Sequence, residues 1–291
     1  MADARSCSIE PTEPLAHRLE RGEVVVHPVC PFAVPTGDAH SFLLDQRLAS
    51  RAHKNISYDP NSGRANGYQR RTPEQAERLT RLLADFARHA TAWLSAQLPT
   101  YAVAWKLDRV SYRPVEESTR KARLKARNDL LHVDAFPSRP SQGYRILRLF
   151  VNVNPSQDRV WATTYPFAEL LARYGTAAGL PDGSIPIKSR LLSLFRPGKP
   201  RRSPYDEFML RFHDWLKASP QVQIQDPRTI WRFAPGTAWM AMTDTCSHAV
   251  LSGRFALEHS YFIAPQSLAL PKESPPALLE AMCGRPVLRA A

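Results

Sequence analysis

The chain has 291 residues, 43% of them hydrophobic, enough for one large domain with a buried core and too apolar for a disordered chain. Lysine and arginine outnumber aspartate and glutamate by 39 to 27, a formal charge of +12, which favours polyanionic partners: nucleic acid, an anionic membrane face or a phosphorylated substrate. The 26 prolines and 12 glycines point to many fixed loops and argue against a Gly-rich phosphate cradle. No apolar run reaches the roughly 18–20 residues of a membrane span. "MADARSCSIEPTEPL" lacks the basic start and apolar stretch of a secretory signal, so a cytoplasmic protein is expected. Cys7, Cys30, Cys246 and Cys283 form no C-x-x-C pair, which argues against a zinc ribbon or dithiol redox site and predicts reduced thiols.

In chain order, residues 1–70 read as an irregular extension with a few short apolar runs. "TPEQAERLTRLLADFARHATAWLSAQL" is the first clear helix. Thr72 is its N-cap, Pro73 suits the first helical position, and Gln75 completes a capping box. Leu79, Leu82, Leu83, Phe86, Ala90, Trp93 and Leu94 recur at helical spacing and predict one face packed on a sheet. "AVAWKLDRVSYRPVE" alternates like a strand, the basic "STRKARLKARND" follows, and "LLHVDAF" comes next. "YRILRLFVNVNP" is the densest run of β-formers and ends at Pro155. Residues 166–220 read as a helical insertion carrying the basic loop "FRPGKPRRSP". Strands return at "TIWRFAP", "GTAWMAMTD", "SHAVLS" and "RFALEHSYFIAP", with turns at Pro235-Gly236 and Ser252-Gly253. This order describes one α+β domain over residues 1–291: a β-sheet core at roughly 100–265, with helices outside.

His132-Val133-Asp134 places an imidazole and a carboxylate on one face of a strand, because side chains alternate with period two. His248, in "TDTCSHAVLSG", is the candidate third ligand. Two histidines and one carboxylate form a facial set that leaves positions open on Fe(II); a zinc hydrolase would accept the same donors. Taken alone, H-x-D is a weak signal.

The order H-x-D, strand, distal histidine, Ser252-Gly253 and then an arginine opening "RFALEHSYFI" resembles the Fe(II)/2-oxoglutarate dioxygenases. That resemblance implies a double-stranded β-helix (jelly-roll, cupin-like) core. It also implies Fe(II) on His132, Asp134 and His248, with 2-oxoglutarate and O2 as co-substrates and a basic residue on the far carboxylate of 2-oxoglutarate. Three arginines compete for that role, since a guanidinium fork pairs with two carboxylate oxygens. Arg148 comes first, on the strand with Phe150 and Asn152 that lines the co-substrate pocket in many relatives. Arg254 follows, then Arg113. Glu258 and His259 are expected to line the pocket or to be structural.

More closely, "RARNDLLHVDAFPSRP", "GYRILRLFVNVNP" and the "SHAVLSG" and "LEHSYF" segments resemble the bacterial Kdo hydroxylases, which oxidise the 3-deoxy-octulosonic acid of the lipopolysaccharide inner core. The resemblance implies hydroxylation at C3 of a Kdo-containing lipid A precursor, with Ser138 and Arg139 as candidates to reach the sugar carboxylate. It also implies peripheral docking of the basic surface on the cytoplasmic face of the inner membrane. The alternatives are a dioxygenase acting on a protein side chain or nucleic acid base, or a non-catalytic β-helix binding module. No helix-turn-helix, zinc finger or aromatic-basic single-strand motif is present, so no specific nucleic acid partner is expected.

Overall fold

The computed structural model describes residues 13–50, 53–119, 123–180 and 202–288. Ten strands build two antiparallel sheets. In chain order they are β1 (Val25–His27), β2 (Ile56–Asp59), β3 (Arg64–Asn66), β4 (Lys106–Arg113), β5 (Arg145–Asn152), β6 (Arg159–Thr163), β7 (Thr229–Phe233), β8 (Ala238–Met242), β9 (His248–Ser252) and β10 (Ala256–Ile263). The large sheet runs β1-β8-β5-β10-β4-β2-β3 and the small one β7-β6-β9. Their facing surfaces make the double-stranded β-helix.

The helix Pro73–Gln97 covers the outer face of the large sheet. Thr72 Oγ1 accepts from the Gln75 N–H at 3.3 Å, which is half of the expected box; the two-way box forms instead at Ser203 and Asp206, opening the helix Pro204–Ala218. Leu79, Leu83, Phe86, Ala90 and Leu94 are buried on Leu147, Leu149, Val151, Leu257 and Tyr261. The outward residues of β5, Leu147, Leu149 and Val151, alternate with Arg148, Phe150 and Asn152, which point between the sheets as period two demands. A second cluster fills that interior: Phe150, Trp161, Phe233, Trp239 and Val250, with Phe233 and Trp239 stacked at 3.9 Å between ring centroids.

Two readings of the sequence change. Residues 13–70 are not an irregular appendage: β1 is one edge of the large sheet, and β2 and β3 extend the other. Strand β6, unrecognised in the sequence, forms the middle of the small sheet. Of the insertion, the helices Phe167–Tyr174 and Pro204–Ala218 pack together through Phe167 and Phe212. The loop "FRPGKPRRSP" lies mostly outside the described residues, as does Cys7. Cys30, Cys246 and Cys283 are free thiols.

Candidate active site

The segment carrying His132 and Asp134 is held as an extra, partial strand of the small sheet. His132 N–H donates to His248 O at 3.1 Å and His248 N–H returns the bond to His132 O at 2.9 Å. Two residues on, Asp134 N–H donates to Thr243 O at 2.7 Å. Among the described residues, no strand lies beside the other edge of the segment. Gln223 replaces one: its Oε1 accepts from Leu131 N–H at 3.0 Å and its Nε2 donates to Leu131 O at 2.9 Å and to Leu216 O at 2.8 Å. His213, on the helix Pro204–Ala218, donates through Nδ1–H to Val133 O at 2.8 Å. Buried backbone groups left without partners cost about 1–3 kcal/mol each. Gln223→Ala is therefore expected to lower stability by roughly that amount and metal affinity by about 10–100-fold, the usual cost of losing an outer support. Melting and metal titration check this; a variant unchanged in both would mean the His248 pairing alone holds the segment.

The side chains of His132, Asp134 and His248 are buried and converge, with one donor atom of each within 4.8 Å of the others. Each imidazole is aimed by a carbonyl two residues back. His132 Nδ1–H donates to Leu130 O at 2.7 Å and His248 Nδ1–H to Cys246 O at 3.0 Å, which leaves both Nε2 lone pairs facing inward. Trp161 stacks on the His248 ring at 5.1 Å. Burial, reinforced for His132 by the neighbouring His248, keeps both imidazoles neutral at ordinary pH. Burial alone would raise the Asp134 pKa, but the Arg148 guanidinium beside it outweighs burial and holds the carboxylate ionised. Two neutral nitrogens and one anionic oxygen fit a divalent first-row metal with open positions.

Behind the triad a small inner pocket is lined by Arg113, Arg148, Arg159, Trp161 and Glu258. Arg113 grips Glu258 through two bonds, Nε to Oε2 at 2.8 Å and Nη2 to Oε1 at 3.1 Å. Arg148 lies between Asp134 and Glu258, with Nη2 3.1 Å from Asp134 Oδ2 and Nη1 3.6 Å from Glu258 Oε1. The two arginines hold Glu258 down at about 2 against the upward push of burial. Arg159 was not foreseen. It is fully buried, donates from Nη1 to Gly253 O at 2.9 Å, leaves Nε without a partner, and forms no ion pair among the described residues. Burial, then repulsion from Arg113, lowers its pKa to about 10. Gly253, at φ +103°, is required here, because a Cβ would come 2.7 Å from Arg159 Cα.

The other candidates separate. Asn152 faces inward, but its amide is committed: Nδ2 donates to Gln157 O and Phe233 O, and Oδ1 accepts from Asn154 N–H. Arg254 is exposed, its guanidinium 4.0 Å over the Phe255 ring, and it lines neither cavity. Ser138 is exposed on the turn and also lines neither. Arg139 does reach the outer cavity, where it pairs with Asp108 and lies over Phe136. His259 is buried in the sheet, hydrogen-bonded through Nδ1 to Tyr261 Oη at 2.8 Å, as a structural residue would be.

Above the triad, the outer cavity of about 450 Å³ opens between β4 and the helix Pro204–Ala218. Cations dominate its wall: Lys54, Arg109, Lys125, Arg139 and Lys217. A metal centre, an inner pocket with an unpaired guanidinium and an outer basic cavity give places for an anionic co-substrate and an anionic substrate.

Comparison with known proteins agrees with this arrangement. Residues 3–286 match the family described as 3-deoxy-D-manno-oct-2-ulosonic acid (Kdo) hydroxylase. The chain is similar to the crystal structure of the Kdo hydroxylase KdoO, a non-heme Fe(II) alphaketoglutarate-dependent dioxygenase, in complex with alphaketoglutarate and Fe(III). The identity is 34% and the TM-score 0.85, over 94% of this chain and 90% of that one. It is similar also to the cobalt(II) complex of KdoO, at 35% identity and TM-score 0.86 over 95% and 91%, and to its complex with succinate and Fe(III), at 34% and 0.84 over 95% and 91%. No curated protein matches the chain. A family match across nearly the whole chain, on a fold and a His-Asp-His cluster reached independently, places this protein in the Kdo hydroxylase family.

Proposed function

We propose that the chain hydroxylates Kdo at its deoxy carbon, C3, using Fe(II), 2-oxoglutarate and O2, and that its natural substrate is Kdo carried on a lipid A precursor. The observation that carries this reading is the buried His132-Asp134-His248 cluster set between an arginine-lined inner pocket and a basic outer cavity. When bound, Fe(II) and 2-oxoglutarate supply dioxygen activation: one oxygen atom goes into a substrate C–H bond, and 2-oxoglutarate leaves as succinate and CO2. The chain's own residues do the rest. His132, Asp134 and His248 hold the metal. Arg159 anchors the far carboxylate of the co-substrate. Trp161 and Phe150 keep water out of the inner pocket. No protein acid or base is required at the substrate carbon.

The direct test is anaerobic loading with Fe(II), 2-oxoglutarate and Kdo-lipid A, followed by air. Mass spectrometry should find one added oxygen on the sugar and one succinate per product. Succinate formed without sugar oxidation would rule out this substrate.

A lipid-borne substrate implies work at a membrane surface. No helix among the described residues is long and apolar enough to cross one. Docking would therefore be peripheral, on anionic lipid, at about 1 kcal/mol per basic residue within a Debye length of roughly 8–10 Å. Leu124, 46% exposed, stands beside Arg123 and Lys125 near the mouth of the outer cavity, to which Lys125 contributes. Lys125 and Arg127 are already paired at 2.5 Å with Asp214 and Asp129, which weakens their pull; Lys121 lies outside the described residues. Binding to anionic vesicles is expected at low salt and should fade as salt rises, with the combined neutralisation of Lys121, Arg123, Lys125 and Arg127 weakening it. Indifference to anionic vesicles at low salt would end the docking reading.

A further inference from the structure

The helix Pro204–Ala218 belongs to neither sheet, yet it presents Leu210, His213, Asp214 and Lys217 to the outer cavity, spaced so that all four share one helical face. Asp214 is occupied by Lys125. Lys217 is different. It is only 3% exposed, its Nζ donates to Lys125 O at 3.2 Å, and among the described residues no carboxylate comes within ion-pair distance of it. An ammonium has three donors, and burying its charge without a counter-ion is costly. Burial, then repulsion from Lys54, brings its pKa down to about 8 against the more distant pull of Asp134, Asp214 and Asp129.

His213, one turn earlier, is the complement. Its Nδ1–H is spent on Val133 O, so its Nε2 is left as an acceptor, and its ring lies edge-on to His132 with centroids 4.8 Å apart. A fixed cation beside a fixed acceptor, at the depth of the metal cluster, matches a carboxylate next to a hydroxyl on one small molecule. A lipid phosphate would present the same charge. At this depth, however, the group within reach is the acid of the sugar being oxidised, and phosphates belong to the rim.

We infer that Lys217 is the counter-ion of the sugar's carboxylate and that His213 accepts a hydrogen bond from a hydroxyl of the same sugar, so that this helix fixes substrate choice and presentation. The inference rests on the Kdo reading above and deepens it. Lys217 reads the acid, His213 reads the sugar, and the sheets supply the metal and co-substrate sites.

Binding separates the parts. The protein is loaded with Co(II) and 2-oxoglutarate under argon and titrated with a Kdo glycoside or its methyl ester. Wild type should bind the acid at least about tenfold more tightly than the ester, as expected for a buried charge pair. Lys217→Gln keeps a donor for Lys125 O but loses the charge, and it should bind acid and ester alike, at the wild-type ester affinity. Lys217→Met should do the same with a melting temperature close to wild type, since relief of a buried cation that has no counter-ion offsets the lost hydrogen bond to Lys125 O. His213→Phe should weaken acid and ester equally. A Lys217→Gln protein that keeps the full acid preference overturns the assignment of Lys217, and an unchanged affinity in His213→Phe overturns that of His213. Wild type that oxidises Kdo yet binds acid and ester equally overturns the inference alone. Wild type that binds neither sugar and oxidises no Kdo compound overturns the substrate reading as well.

Discussion

Replacing Asp134 with alanine is expected to abolish turnover and to lower divalent metal affinity by well over the roughly 10–100-fold that loss of an outer support costs. Asp134 supplies the only anionic oxygen of the cluster, between two imidazoles that are neutral because they are buried. Without it, two neutral nitrogens remain, beside the Arg148 guanidinium that the carboxylate had been balancing at 3.1 Å. A cation facing an incoming cation is the worst substitute for a ligand. The fold should survive. Asp134 is tied to the sheet through its backbone bond to Thr243 O, and Arg148 still has Glu258 at 3.6 Å. Circular dichroism and Co(II) titration on the same sample separate the two effects. A folded Asp134→Ala protein with full activity would remove Asp134 from the ligand set.

Arg159→Met is expected to raise the 2-oxoglutarate requirement by about 30-fold to several thousandfold. That is the equivalent of the roughly 2–5 kcal/mol lost when a buried charge pair is broken from one side. The argument is one of availability. Arg113 already holds Glu258 through two bonds, and Arg148 is shared between Asp134 and Glu258, whereas Arg159 has an idle Nε and only a glycine carbonyl on Nη1. Such a guanidinium gains most from a carboxylate. The free protein should lose little stability, because methionine fills similar volume without a buried charge. Arg148→Ala should disturb metal loading more than co-substrate affinity. Steady-state kinetics in both variants, with metal content measured alongside, decide the matter. If the 2-oxoglutarate effect follows Arg148 and spares Arg159, the anchor is Arg148.

What could be read from the sequence depended on how local each signal was. His132 and Asp134 were visible because two residues on one strand share a face whatever the rest of the chain does. The strand with Arg148 was visible because it is a dense run of β-branched and aromatic residues closed by Pro155. Arg159 was hidden by the reverse circumstance. Its strand is five residues long and begins with the charged residue itself, between Pro155 and Pro166, so "RVWAT" carries too little alternation to register. Trp161 is the clue that could have found it, since a tryptophan two positions on demands an interior and takes Arg159 to the same face. Arg254 opens the strand that the family pattern asks for, though six residues past His248 is closer than the usual gap, and the left-handed Gly253 turn leaves it outside, over Phe255. Asn152 pointed inward as expected and was spent on backbone groups of the neighbouring loop and β7. His213 and Lys217 had no signature at all: each is one polar residue on an amphipathic helix until the helix is docked.

The order of the large sheet bears on how the protein is made. Its central strand, β10, lies between β4 and β5 and is the last strand to leave the ribosome. Until then β4 and β5, though already synthesised, each have an open hydrogen-bonding edge where β10 will insert, the kind of edge that pairs with other chains. Arg113 must likewise wait for Glu258, 145 residues further on. Contacts of such separation close slowly, and the growing chain passes through a stage at which both strands are available for wrong pairing. A chain stopped before residue 256 would thus be more than an inactive fragment. Lacking the middle of its sheet, it should aggregate or be degraded, and chaperone demand during synthesis should be concentrated in the interval before β10 emerges.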